Sequence, residues 1–132
     1  MAGPLTLADL SILGAVAAYM APIAIVKYSG LKTFDNAKPR DPDFYADPLR
    51  ARGLAAHQNG LEGFALFAAA VIVAQMRGAS QTVVDDIALA YVVLRLAYVA
   101  LYLGNKPSLR SAVWALGFAL NIVILLSPLF AR

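Results

Sequence analysis

Four apolar runs, each about as long as a bilayer is thick, constrain this chain more than any motif in it. They cover residues 7–26, 53–76, 84–103 and 109–130, and a helix needs about 20 residues to cross the hydrocarbon. Backbone polar groups in lipid must be satisfied within a helix or a closed barrel, and four segments are too few for a barrel. The expectation is an all-α protein, a four-transmembrane-helix bundle in one domain over residues 1–132. Composition agrees: only 14% of residues are charged, against about a quarter in a soluble domain. No Lys or Arg precedes the first run, so it reads as a retained span, not a cleaved signal peptide.

The connections set the order of the helices. Residues 27–52 form a polar loop rich in charge and proline, whereas RGASQT and GNKPS are short and imply antiparallel neighbours. Asp47 before Pro48 reads as an N-cap with proline at the first helical position. Ser80 or Thr82 is expected to cap the third helix, with Asp85 and Asp86 in its first turn. Pro22 marks a site for a kink in the first. Lys27, Lys32, Lys38, Arg40, Arg50, Arg52, Lys106 and Arg110 fall on one side and Arg77 and Arg132 on the other, with Arg95 inside a span. Eight bases against two place loops 27–52 and 104–108 in the cytoplasm and both termini outside. The net charge of +3 is absorbed by this bias and calls for no nucleic-acid partner.

Ionisable groups inside a bilayer are costly and mark functional sites by default. Here the polar candidates are His57, Gln58, Asn59 and Glu62 in the second span and Arg95 in the third. Glu62 and Arg95 each lie about 12–14 Å below the same surface, at 1.5 Å of rise per residue, and can pair. Tyr91, Arg95, Tyr98 and Tyr102 share one stripe of the third helix, and Arg52, Asn59 and Glu62 one face of the second. Arg110, Ser111 and Trp114 open the fourth, and Lys27 closes the first. Four helices thus deliver polar groups to the cytoplasmic leaflet, as a wet cationic pocket would need. The blander alternatives are a structural Glu62–Arg95 pair, interfacial anchoring by Tyr98, Tyr102 and Trp114, a satisfied interfacial His57, and Asn121 as a hydrogen bond between helices. With no cysteine and one histidine, the chain has no thiolate nucleophile and too few ligands for an ordinary zinc site. Any thiol must come with a cofactor or substrate.

The run Leu54-Ala55-Ala56-His57-Gln58-Asn59-Gly60-Leu61-Glu62-Gly63-Phe64-Ala65-Leu66-Phe67 resembles the second-helix motif of the membrane-associated proteins in eicosanoid and glutathione metabolism, the MAPEG family. Arg95-Leu96-Ala97-Tyr98 through Tyr102, then Arg110-Ser111, resemble the ends of its third and fourth helices. The loop string Phe34-Asp35-Asn36 with Pro39-Arg40 is similar to small bacterial members. The resemblance implies a homotrimer in a bacterial inner membrane, with glutathione bound between neighbours on the cytoplasmic side. By position it implies that Asn59 and Glu62 contact glutathione and that Arg95 supports them or binds a carboxylate. Tyr98 and Tyr102 would line the tripeptide, Lys27 and His57 would be further contacts, and Arg110 with Ser111 would lie at the thiol. The implied activity is a glutathione-dependent transferase or peroxidase acting on a lipophilic substrate from the bilayer.

Family enzymes carry arginine where this chain has Ala55, and the prostaglandin-forming member has another at Gln58. Those two departures leave open a non-catalytic lipid-binding or scaffold protein of the same fold. A small four-helix multidrug exporter would need its carboxylate in helix one, where this chain has only Asp9, near the membrane edge.

Overall fold

The computed structural model describes residues 3–131. Among them are four long helices: α1 Leu7–Ser29, α2 Pro48–Met76, α3 Gln81–Leu103 and α4 Pro107–Leu126. Short 3-10 turns cover Phe44–Ala46 and Ser127–Phe130. All four helices are long and apolar enough to cross a membrane. α2 and α3 pack together, and both α1 and α4 lie against that pair. Only 22% to 33% of each span is buried within the chain, so most of each span faces outward from the bundle.

The helix ends explain where hydropathy misplaced the boundaries. α2 starts at Pro48, not at residue 53, because Asp47 Oδ1 accepts from Leu49 N at 3.0 Å and Arg50 N at 3.1 Å. Arg50 and Arg52 therefore lie within the first turns of the helix. α3 starts at Gln81, and Ser80 occupies the N-cap without a side-chain hydrogen bond. Asp85 is consequently past the first turn, contrary to the sequence expectation, and it serves a different helix. Its Oδ1 accepts from Ala8 N at 2.7 Å and Gln81 Nε2 at 2.8 Å, so a carboxylate sits at the positive N-terminal end of α1. The start of α1 also carries a capping box: Asp9 N donates to Thr6 Oγ1 and Thr6 N to Asp9 Oδ2. Asp9 is thereby committed to the helix start. α4 runs from Pro107 and gives way to 3-10 geometry at Ser127, where Pro128 cannot donate to the helical ladder.

Both short connections close by left-handed residues. Gly78 has φ +74°, and Ala79 N reaches back to Ala74 O. Asn105 has φ 54°, and Lys106 N reaches Leu101 O. Each is a Schellman closure, which asks for Gly or Asn at that position.

Glycines bring α1 and α2 into close contact. A Cβ on Gly53 would overlap the Val26 side chain and lie 3.0 Å from the Pro22 carbonyl. One on Gly60 would run into Tyr19. Small residues at such crossings let two backbones approach, the main source of helix association where lipid removes any hydrophobic advantage. The core at the end of the bundle where α1 starts and α4 ends consists of Ala8, Ala15, Ala70, Val71, Ala74, Val84, Ala88 and Ile124 around a stacked pair, Phe67 and Tyr91, with ring centroids 4.2 Å apart.

The polar loop folds onto the opposite end. Phe34, Phe44 and Tyr45 pack edge to face over Ile23 and Val26. Arg50 lies 4.6 Å from the Phe44 ring centroid and donates from Nε to Phe44 O. Asp35 and Asp41 each accept from a backbone N–H two residues on, a side-chain turn that replaces secondary structure.

Candidate functional site

α2, α3 and α4 converge on two adjoining cavities. The outer, about 280 Å³, is lined by Asn59, Tyr98, Tyr102, Arg110, Ser111 and Trp114. The inner, about 170 Å³, is lined by Asn59, Glu62, Arg95 and Trp114 together with Tyr91, Gly63, Gly117 and Asn121. Asn59 and Trp114 are common to both. The tyrosine and arginine stripe of α3 faces this site: Tyr91, Arg95 and Tyr98 are buried.

Arg95 is 6% exposed, and its placement shows what holds a guanidinium inside a bilayer. Nη2 donates to Asn59 Oδ1 at 3.1 Å, and the group lies 4.2 Å from the Tyr98 ring centroid. Glu62 lines the same cavity as Arg95, but the hydrogen bond runs to Asn59. Arg110 lies over Tyr102 at 4.4 Å, and Tyr98 meets Tyr102 edge to face at 5.6 Å. Each guanidinium thus rests on an aromatic face, worth about 0.5–2 kcal/mol depending on desolvation. Both keep N–H groups for an incoming anion.

Seven of the nine site residues that the resemblance implies meet here: Asn59, Glu62, Arg95, Tyr98, Tyr102, Arg110 and Ser111. Lys27 and His57 do not. They line a third cavity, about 280 Å³, with Met20, Ile23, Pro39, Arg40, Tyr45 and Leu54. The cause is helical geometry, because His57 and Asn59 are two residues apart and so about 200° apart around α2. His57 Nδ1 lies 2.7 Å from Tyr19 O. A carbonyl only accepts, so Nδ1 carries the hydrogen and Nε2 is left for a ligand. Lys27 Nζ lies over Phe34 at 4.8 Å. Beside it, burial pushes the Tyr45 phenol up from its ordinary value. Arg52, placed on the Asn59 face from sequence, donates from Nε to Leu103 O and so closes the C-terminal end of α3.

Tyr91, placed on the α3 stripe from sequence but given no ligand contact, and Asn121, read only as a hydrogen bond between helices, also line the site. Asn121 is buried beside Tyr91, yet its Oδ1 has no hydrogen-bond partner. The only sequence signal was a polar residue in an otherwise apolar span. Gly63 and Gly117 are as easily missed: they flank Tyr91, and a Cβ on Gly63 would lie 3.0 Å from its hydroxyl.

Comparison with known proteins adds the family. No curated protein and no solved structure matches the chain significantly. One family model matches residues 7–130, which takes in all four helices and every residue of the three cavities, and on that match this chain belongs to the MAPEG family.

Proposed function

We propose that this chain binds glutathione, or a closely related anionic thiol, in the α2–α3–α4 site and uses it against a lipophilic substrate arriving from the bilayer. The observation that supports this is charge complementarity. Glutathione carries two carboxylates, one ammonium and one thiol. The site offers two guanidiniums, Arg95 and Arg110, one carboxylate, Glu62, and one hydroxyl, Ser111, beside Arg110. Glu62 would take the ammonium, Arg95 with Asn59 a carboxylate, and Tyr98 and Tyr102 the peptide between them. Bound there, glutathione would supply the nucleophilic thiol that the cysteine-free chain lacks.

Arg110 and Ser111 would then do the electrostatic work. A guanidinium beside a thiol favours the thiolate, and Arg110, stacked on Tyr102, is held there without reorganisation. The Ser111 hydroxyl can donate to the same sulfur. In a conjugation the sulfur forms a bond to an electrophilic carbon and the leaving group departs with the bonding pair.

Lys27 and His57 face away from this site, so they would reach a bound tripeptide only from a neighbouring subunit. That geometry supports a homotrimer with sites between protomers. The basic first loop supports the orientation in which the site opens to the cytoplasm of a bacterial inner membrane.

A second reading, a lipid-binding protein without catalysis, is favoured by an apolar groove of about 560 Å³ lined by Leu89, Ala90, Val93, Leu94, Leu116 and Leu120. Ala55, where family enzymes usually carry arginine, and Gln58, where the prostaglandin-forming member has another, point the same way.

Titration calorimetry with glutathione on wild type, Glu62→Gln and Arg110→Ala separates the two. Binding that both substitutions weaken supports the transferase reading. No wild-type binding at millimolar glutathione overturns it, and co-purified lipid without turnover of any electrophile would then establish the second.

A further inference from the structure

The inner cavity continues past the groups that glutathione would engage, and its far end has its own character. Asn121 lies 14 residues beyond Pro107 on α4, about 21 Å along the helix and so deep within a hydrocarbon layer about 30 Å thick. Its side chain is 2% exposed, its Oδ1 accepts no hydrogen bond, and it lines the cavity with Tyr91, Leu66, Trp114, Gly117 and Phe118. A buried acceptor left unsatisfied costs about 1–3 kcal/mol. Removing it would need only an apolar side chain, so its presence asks for a partner from outside the chain.

Size and walls define that partner. The cavity holds about 170 Å³, close to the space that takes a single benzene ring. Trp114 and Phe118 stack with ring centroids 5.6 Å apart, and with Tyr91 and Leu66 they form an aromatic and apolar wall beside Asn121, while Asn59, Glu62 and Arg95 line the rest of the same cavity. Room exists because two wall positions are glycine: a Cβ on Gly117 would lie 3.6 Å from the Tyr91 ring, an ordinary contact that would fill part of the space. The polar atom left without a partner at this wall belongs to the Asn121 amide, whose oxygen accepts and whose nitrogen donates. Turning the amide over exchanges which atom lacks a partner. A hydroxyl both donates and accepts, so it satisfies the amide in either orientation, whereas an ether only accepts and a hydrocarbon does neither.

We infer that the inner end of the α2–α3–α4 cavity is a binding site for a small phenol, drawn from the bilayer, with its ring between the aromatic walls and its hydroxyl on Asn121. The phenol shares its cavity with Glu62 and Arg95 but is held through Asn121, so its binding needs no glutathione.

Trp114, the only tryptophan in the chain, lines the cavity and reports on it. The experiment titrates purified protein in detergent, without glutathione, with phenol, anisole and toluene, at concentrations expressed per micelle. Trp114 fluorescence is excited at the red edge, where the probes do not absorb. Phenol is expected to give a saturable change with an apparent affinity about five- to tenfold above those of anisole and toluene, the range of one net hydrogen bond. Asn121→Leu keeps the branched shape, is larger, removes the amide and is expected to abolish the preference for phenol over toluene and anisole, whatever it does to the affinity of all three. Gly117→Ala is expected to weaken all three probes together and leave their ranking unchanged. Equal affinities for phenol, anisole and toluene in wild type would overturn the proposal, as would a preference for phenol that survives Asn121→Leu. Failure to saturate with any probe would also overturn it, leaving the amide to water alone. Glutathione binding, measured separately on wild type, tells a failure here from a failure of the thiol site.

Discussion

Arg95 and Arg110 have the same side chain and different surroundings, and the difference sets what each substitution does. Arg95 is buried and already holds Asn59, so its removal orphans a polar partner and disturbs the bundle as well as any ligand. Arg110 is half-buried over Tyr102 at the wider, outer cavity. Arg110→Ala is therefore expected to leave folding intact and to weaken glutathione about 10- to 100-fold, the range for a lost hydrogen bond to a charged group. Calorimetry beside a thermal-unfolding scan checks both halves of that statement. Arg110→Lys keeps the charge but loses the planar stacking, and should recover only part of the affinity. At this scale the sequence was informative wherever one helix decides the answer. The split between His57 and Asn59 follows from a turn of about 100° per residue, which their spacing along α2 already contains. The missing partner of Asn121 does not follow from spacing, because it depends on what Tyr91 and Gly117 on two helices leave open.

Elements are held by their ends and by their narrowest crossings. Asp47 caps α2, and the backbone N–H of Arg50, first among its partners, holds the carboxyl below the ordinary 3.8. A depressed carboxyl contributes stability above its ordinary value and loses it as pH falls through the folded value. Wild type is thus expected to lose thermal stability as pH drops below about 4, and Asp47→Asn, which still caps, to show a shallower loss. Unfolding temperatures at pH 6 and pH 3 test this; identical acid profiles would contradict it. Gly60→Ala is expected to force α1 away from α2, because its Cβ would meet the Tyr19 side chain and backbone. Overpacking of that kind costs about 1–3 kcal/mol, read as a lower unfolding temperature, whereas Gly3→Ala, with open space around it, should change nothing. The Asp-Pro cap was legible in sequence because capping is a local contact. The service of Asp85 to α1 was not, because its partner, Ala8, is 77 residues away.

For the whole molecule, charge asymmetry predicts orientation and the divided pocket predicts assembly. The chain has no cysteine, so single substitutions map topology directly. Lys38→Cys is expected to resist a membrane-impermeant maleimide added outside intact cells, and Ser80→Cys to react; the reverse pattern would invert the orientation. Native mass spectrometry is expected to show three copies, with Lys27→Ala weakening glutathione although Lys27 lies across α2 from the other ligand residues. A monomer that binds glutathione normally would remove the interprotomer site. What the sequence determined by itself was the set of spans, the long basic loop, and the clustering of polar groups in one leaflet. Those properties follow from segment length against bilayer thickness and from position along one helix, both of which are one-dimensional. Only the tertiary structure decided which polar groups meet. The approach at Gly53 and Gly60 and the packing of Tyr91 between Gly63 and Gly117 set how each helix is turned about its axis. That rotation places Asn59 on Arg95, turns Lys27 and His57 to another cavity, and leaves Asn121 facing space that no other described residue fills.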